Sequence, residues 1–304
     1  MKNNYFPFAF FQGKIVPTEK AQVNIMTNAL QYGTGIFGGI RCYVGDNKSV
    51  SIFRLSDHYN RFLKSLKIMD KSIPYTHKQL TQITLELARK NNPHTDAYIR
   101  PIAYAADYNL SPDLSTSKFD FAAYMIPLGE YLPISKGLKL MISSWLRIND
   151  NQIPSRAKVT GGYVNSALAR AEAVRLGFDD AIMLTLDGHI SEGSAANFFI
   201  VRDGVLITPA KSSDVLEGIT RNTILELAND LKIPTEERLI DRTEVYAADE
   251  AFLSGTGAQV AWIKEIDGRE ISPTIGPISK KLQDLFFNIV RGKENHYKHW
   301  LTRI

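Results

Sequence analysis

The sequence predicts an α+β fold in two domains, and three observations carry that prediction. Asp187-Gly188, Asp203-Gly204 and Asp267-Gly268 each lie between β-rich runs, a strong short-range signal for a hairpin. Helical stretches with one apolar face are segregated from those runs. Pro127-Leu128-Gly129-Glu130-Tyr131-Leu132-Pro133, followed by Gly137, gathers turn chemistry in one place and is read as the boundary between residues 1–130 and 131–304. The first is expected to be a small α/β domain and the second a larger domain. A length of 304 residues suits about two domains.

In chain order, Met1–Phe11 holds one Lys and a short apolar stretch broken by Pro7, too short for a signal sequence. Ile40–Val44, Gly45-Asp46-Asn47 and Val50–Phe53 read as strand, turn and strand. Ser56 is expected to cap a helix with Tyr59, Phe62, Leu63 and Leu66 on one face. Thr76 with Gln79 forms a capping box for a helix carrying Leu80, Ile83 and Leu87. Beyond the boundary, an alanine-rich helix is expected from about Ser166 to Leu176, stopped by Gly177. Strands follow at Ala181–Leu186 and Asn197–Val201. A helix then carries Ile224, Leu227, Ala228 and Leu231, and a terminal one Ile278, Leu282, Leu285 and Ile289. The hairpins make the second half largely antiparallel.

Composition excludes several classes. With 44% hydrophobic, 22% charged and 10% aromatic residues, the chain is neither disordered, collagen-like nor a coiled coil. No segment approaches a membrane-spanning apolar length. Net charge is +4, and the tail from Ile278 holds six Lys/Arg against Asp284 and Glu294, which accounts for all of it. That tail is read as a helix with basic residues in its last turn rather than as a nucleic-acid arm. One cysteine, Cys42, and six scattered histidines give neither an internal disulfide nor a metal cluster, so a reducing, cytoplasmic setting is expected.

Gly33-Thr34-Gly35-Ile36-Phe37-Gly38 matches the dinucleotide pattern G-x-G-x-x-G, but strand-like sequence follows where a helix must open, so no NAD site is expected. The glycines instead allow a close backbone approach to another strand or to a ligand. There is no P-loop, H-E-x-x-H or G-x-S-x-G, and His296 and His299 lie in the tail. Asp179-Asp180 and Glu236-Glu237 read as solvated acids at element ends.

Four segments belong together: Ser155-Arg156-Ala157-Lys158-Val159-Thr160-Gly161-Gly162-Tyr163, Ser191-Glu192-Gly193-Ser194-Ala195-Ala196-Asn197, Leu216-Glu217-Gly218-Ile219-Thr220-Arg221 and Ser254-Gly255-Thr256-Gly257. With Asn28–Gly33, Tyr98-Ile99-Arg100-Pro101 and Ser143-Ser144-Trp145, this set resembles the branched-chain aminotransferases among the fold-type IV, D-amino-acid-aminotransferase-like enzymes that use pyridoxal 5'-phosphate (PLP). The resemblance spans nearly the whole chain. It implies transfer of the amino group of L-leucine, L-isoleucine or L-valine to 2-oxoglutarate by a ping-pong route.

Roles follow from that resemblance. Lys158, carried by the larger domain, is the lysine that joins the cofactor aldehyde and shuttles a proton, although by pattern alone it is one lysine among many. Glu192 faces the pyridine nitrogen; its other reading is an exposed glutamate after a hairpin strand. Arg61, with Leu216, Gly218, Ile219 and Thr220 at a helix start, holds the phosphate, whereas off its helix's apolar stripe Arg61 also reads as a solvent-facing ion pair. Tyr163 bonds the cofactor's phenolic oxygen or is an ordinary strand aromatic. Thr256 and Gly257 surround the phosphate and the substrate carboxylate, and Tyr32, Phe37, Gly39, Tyr98, Arg100 and Tyr131 line the substrate site. A loop near Tyr108-Asn109-Leu110-Ser111 implies a homodimer or higher homo-oligomer. No metal, nucleic acid or membrane partner is expected.

Two positions depart from the pattern: Gly38, where the bacterial enzymes read Glu in Phe-Glu-Gly-Ile-Arg, and Ala196, where they have Glu-Asn. The tract Ser191–Asn197 leans toward D-amino-acid transaminases and aminodeoxychorismate lyases, leaving these and (R)-amine transamination as alternatives. The departures predict a roomier, less acidic pocket.

Overall fold

In the computed structural model, which describes residues 5–46 and 48–304, the chain divides into two units. One runs to Gly129 and also takes Ala157–Gly161 and Ile289–Ile304; the other is Glu130–Arg156 with Gly162–Asn288. Residues 131–304, expected as one domain that carries Lys158, therefore give two segments to the first unit, and Lys158 lies in one of them. The first four residues of the Met1–Phe11 reading, and Asn47 of the expected turn, lie outside the described residues.

The first unit is built on β1 (Phe8–Phe11), β2 (Lys14–Pro17), β3 (Gly35–Phe37), β4 (Ile40–Val44), β5 (Val50–Phe53), β6 (Ala97–Ala105) and β7 (Phe119–Pro127). They pair in the order β5-β4-β6-β7-β1-β2, with β3 also beside β6, and each of these pairings is antiparallel. Helices α1 (Asn28–Tyr32), α2 (Leu55–Ile68) and α3 (His77–Asn91) complete it. Helix α2 buries Leu55, Tyr59, Phe62 and Leu66, the helical spacing that the sequence shows. The rings of Phe10, Phe62 and Tyr75 surround Phe121 with centroids 5.6–6.0 Å away.

Thr76 and Gln79 make both reciprocal bonds of the capping box on α3. Ser56 does not cap α2. The cap position is Arg54, in the left-handed region at φ 47° and without a side-chain capping bond, while Ser56 Oγ lies 3.2 Å from His77 Nε2. The reason is distant in sequence: Arg54 donates its backbone N–H to the Trp300 carbonyl at 2.7 Å and lays its guanidinium 4.7 Å from the Trp300 ring centroid.

The second unit contains β8 (Leu138–Ile142), β9 (Asp180–Leu184), β10 (Ile190–Gly193), β11 (Asn197–Arg202), β12 (Val205–Pro209), β13 (Thr235–Arg238), β14 (Glu250–Gly255), β15 (Gln259–Ile266) and β16 (Arg269–Glu270). Their order is β10-β9-β8-β15-β14-β11-β12-β13, with β16 beside β15. The Asp-Gly turns join β9 to β10, β11 to β12 and β15 to β16. Positive φ at Asp203, Gly204, Asp267 and Gly268 is the geometry those turns require.

The sheet is nonetheless mixed. Strand β8 runs parallel to both β9 and β15, and β12 parallel to β13. Helix α4 (Tyr163–Arg175) carries the chain from β8 over to β9, the crossover that parallel neighbours need. It starts at Tyr163 rather than about Ser166, so Tyr163 is a helical residue and not a strand aromatic. Ala169 and Ala173 of α4 pack on Ala181 and Met183 of β9. The core gathers Leu138, Leu140, Phe198, Ile200, Leu253 and Ile263. Asp180, read as solvated, is buried in β9, where it accepts bonds from Ala181 N and Ser194 Oγ; burial raises its pKa against those bonds.

Helices α5 (Ile219–Asp230) and α6 (Pro277–Val290) follow. Helix α6 has no basic residue in its last turn, contrary to expectation. The tail's cations lie beyond it: Arg291 clamps Asp96 through two bonds of 2.6 and 2.7 Å, and Arg303 ends β17 (Leu301–Arg303), which pairs antiparallel with β5.

Candidate active site

In the first unit, residues Ala157–Gly161 run beside β3. The Lys158 carbonyl accepts the Phe37 N–H at 3.0 Å, Val159 bridges Ile36, Thr160 N donates to the Gly35 carbonyl at 2.8 Å and Gly161 N to that of Gly33 at 3.0 Å. The approach needs glycine: Gly33 has φ +66°, and a Cβ on it would lie 2.7 Å from Gly161 Cα. The glycines of the Gly33–Gly38 pattern thus admit another backbone, and they lead into β3 and β4.

Lys158 is half-buried, its backbone N–H donating to Ser65 Oγ of α2 at 3.3 Å. Its Nζ lies 4.9 Å from the centroid of Phe37, and the Arg100 guanidinium lies 4.5 Å from the same ring. Arg100 also donates to the Tyr98 hydroxyl at 3.2 Å. Burial pushes the Tyr98 hydroxyl pKa up, opposed by the charge and hydrogen bond of Arg100. The Tyr98 ring leaves no room for a Cβ at Gly39. Phe37, Gly39, Tyr98, Arg100 and Lys158 therefore form one group. Tyr32 stands on α1, its hydroxyl donating to the Leu110 carbonyl at 2.7 Å, which ties α1 to the 108–111 loop.

Arg61 sits on α2 and is half-buried rather than solvent-facing. One turn earlier, His58 is fully buried, a functional candidate that the sequence reading missed, although its three-residue spacing from Arg61 signals it. Burial, then the charges of Arg61, Lys158 and Arg54, hold the His58 pKa well below the ordinary histidine range. Its buried Nδ1 has no hydrogen-bond partner. Cations gathered around a neutral, under-satisfied imidazole suit a phosphorylated ligand, so these residues fit the phosphate of PLP.

Gly38 does not widen anything. A Cβ there would stand 2.6 Å from Pro101 Cγ and 3.8 Å from Phe62, so the volume that a larger residue would take is already filled by packing.

In the second unit, Glu192 lies in β10 at 4% exposure, which rules out the exposed turn glutamate. Its Oε2 accepts from Asn197 Nδ2 at 2.8 Å and from Leu216 N at 3.2 Å, and its Oε1 meets Arg147 Nη2 at 2.8 Å. Asn197 reaches on to the Leu216 carbonyl at 2.8 Å, and its Oδ1 leaves no room for a side chain at Gly218. Gly218 is the N-cap of α5; Ile219 and Thr220, both buried, occupy the first turn, where backbone N–H groups and the helix dipole favour an anion. Arg147 and Asn197 are further residues without an assigned role in the sequence reading. Arg147 follows Ser143-Ser144-Trp145 closely, and Asn197 ends a quoted motif.

Tyr131 and Gly257 pack together, a Cβ on the glycine falling 3.5 Å from the tyrosine ring, while Arg170 covers that ring at 4.9 Å and bonds its hydroxyl. Thr256 shares the turn between β14 and β15 with Gly257, and Tyr163 is the first residue of α4. Among the described residues no three His, Cys, Asp or Glu side chains gather to hold a metal ion.

Known proteins match the chain in sequence and in fold. The chain is 47% identical to the probable branched-chain-amino-acid aminotransferase of Aquifex aeolicus, over 100% of this chain and 99% of that one. The structure superposes with a TM-score of 0.95, at 42% identity, on the branched-chain aminotransferase of Thermoproteus uzoniensis with norvaline, covering 98% of this chain and 99% of that one. It also matches the T.th. branched-chain amino acid aminotransferase complexed with N-(5'-phosphopyridoxyl)-L-glutamate, with a TM-score of 0.92 at 37% identity, over 98% of both chains. The family model for class IV amino-transferases matches residues 35–266, the stretch that holds Lys158, Glu192 and the start of α5, and the chain belongs to that family.

Proposed function

We propose that this chain is a PLP enzyme that moves the amino group of L-leucine, L-isoleucine or L-valine to 2-oxoglutarate, giving branched 2-oxo acids and L-glutamate. The observation that carries the reading is the full-length match, at 47% and 42% identity, to branched-chain aminotransferases, one of them solved with norvaline, an unbranched aliphatic amino acid. The phosphopyridoxyl-glutamate complex of another supports both the cofactor and the glutamate product.

PLP, when bound, supplies an electron-withdrawing ring that makes the amino-acid Cα–H acidic. Lys158 would hold the cofactor through its Nζ and, when that amine is free, would move the proton at the substrate Cα. Glu192, which pairs with Arg147 at 2.8 Å, would hold a proton at the pyridine nitrogen. In the first unit Arg61 would bind a phosphate; in the second, the first turn of α5, from Gly218 to Thr220 after Leu216, offers backbone N–H groups suited to the same anion, and Tyr163 would take the phenolic oxygen. Arg100, Thr256 and Gly257 orient the substrate carboxylate. Tyr32, Phe37, Gly39, Tyr98 and Tyr131 exclude water from its aliphatic side chain, each methylene contributing about 0.8 kcal/mol.

The active unit is a homodimer. Support comes from Leu110 and Tyr108, apolar side chains exposed at 81% and 59% on the loop that holds Tyr32, where a second copy would cover them. The setting in this reading is the cytoplasm, supported by the single cysteine, Cys42, which leaves no internal disulfide to form. Among the described residues no helix is long and apolar enough to cross a membrane.

A donor screen tests the activity. Purified protein with PLP and 2-oxoglutarate is expected to form L-glutamate with each branched-chain L-amino acid. Activity on D-alanine with pyruvate and none on the branched-chain donors would overturn the reading.

A further inference from the structure

We infer that Arg147 is a positioning residue for Glu192: its guanidinium keeps the buried carboxylate ionised and in one orientation, so that Glu192 meets a ring nitrogen as an anion. The inference rests on the role of Glu192 proposed above.

Arg147 is itself held from several sides. Its backbone N–H donates to the Leu184 carbonyl at 2.7 Å, Nε to the Asp214 carbonyl at 3.3 Å and Nη1 to Ser166 Oγ at 3.3 Å, which leaves Nη2 aimed at Glu192 Oε1 at 2.8 Å. The side chains are 10% and 6% exposed. Asn197 and the Leu216 N–H, which also bond Glu192, are neutral. Asp214, the neighbouring acid, turns its carboxylate to Asn149 Nδ2 and to the Asp150 N–H. A carboxylate this buried takes up a proton unless a cation faces it, and a protonated Glu192 cannot hold a second proton on a ring nitrogen. The guanidinium is planar, with donors on several edges, so one side chain can bond Glu192 while two other contacts of the same group fix it.

The test begins with apoprotein. In Arg147→Met the folded-state pKa of Glu192 rises above its unfolded value of about 4.3. The protonated form is then favoured at low pH, and stability is lost as pH rises through the folded pKa. Its melting temperature is therefore expected to fall behind wild type as pH increases, by roughly 10 °C at about pH 8. Adding Glu192→Gln should abolish that pH dependence, and Arg147→Lys should restore most of the loss. If Arg147→Met does not fold, Arg147→Lys and Arg147→Gln carry the same comparison. A deficit independent of pH, or one that persists with Glu192→Gln, overturns the proposal.

With PLP bound, the half-reaction with L-leucine, followed by cofactor absorbance, should slow about tenfold or more in Arg147→Met and recover as pH is raised. A wild-type rate in Arg147→Met with Glu192→Gln crippled overturns this inference alone. A wild-type rate in Glu192→Gln overturns the role of Glu192 and, with it, this inference.

Discussion

Replacing Glu192 by Gln keeps nearly all of its shape and removes its charge, so the substitution separates binding from chemistry. The variant is expected to retain cofactor while turnover falls about 100-fold or more, because a neutral amide cannot hold a pyridinium proton. Absorbance of the dialysed protein and a single-turnover assay read the two quantities apart. Arg61→Ala should do the opposite, weakening cofactor retention by roughly 10- to 100-fold through loss of a charge-assisted hydrogen bond, measured by dialysis against buffer without PLP. His58 adds a pH dependence to the apoprotein. Its folded pKa lies below the unfolded value of about 6.5, so its contribution to stability is present above that pH and is lost as pH falls. The melting temperature of wild type should drop between about pH 7 and pH 5.5, and that of His58→Gln should drop less.

Elements hold the lysine in place. Gly33→Ala would put a Cβ 2.7 Å from Gly161 Cα at a φ of +66°, so beyond the roughly 1–2 kcal/mol of left-handed strain it must push aside the strip that carries Lys158. Less cofactor per chain and less borohydride-trapped label on Lys158 are expected. Gly177→Ala, at φ +86° with nothing within 4 Å of its Cβ, should show the strain without the cofactor loss. What could be read without a structure was local: the capping box on α3, the Asp-Gly hairpins and the apolar stripe of α2 each depend on residues a few positions apart. What could not was set by partners far along the chain. Trp300 holds the cap of α2 at Arg54, β8 enters between β9 and β15 in parallel, and Pro101 fills the space beside Gly38. Glu192 shows the same limit at the site. Its identity came from a motif, but its burial and its ion pair with Arg147 belong to tertiary structure that no local pattern carries.

At the scale of the whole molecule, the first unit is not one stretch of chain. Its sheet is completed by β17, the Trp300 ring stands 6.1 Å from Phe53, and Arg291 clamps Asp96. Deleting residues 291–304 should therefore destabilise the first unit, and calorimetry should show one transition moved to lower temperature with the other little changed. A single unaltered transition would mean that the tail is dispensable. The closing strand also sets an order of events during synthesis. Val50–Phe53 leaves the ribosome roughly 250 residues ahead of Leu301–Arg303, so at about 5–20 residues per second this strand waits on the order of 12–50 s for its neighbour. Throughout that interval a β-branched, aromatic edge stands open to any extended segment on a nearby nascent chain. Faster translation or a holding chaperone on that edge should raise the soluble yield of this protein, and the benefit should be lost once the tail has been removed.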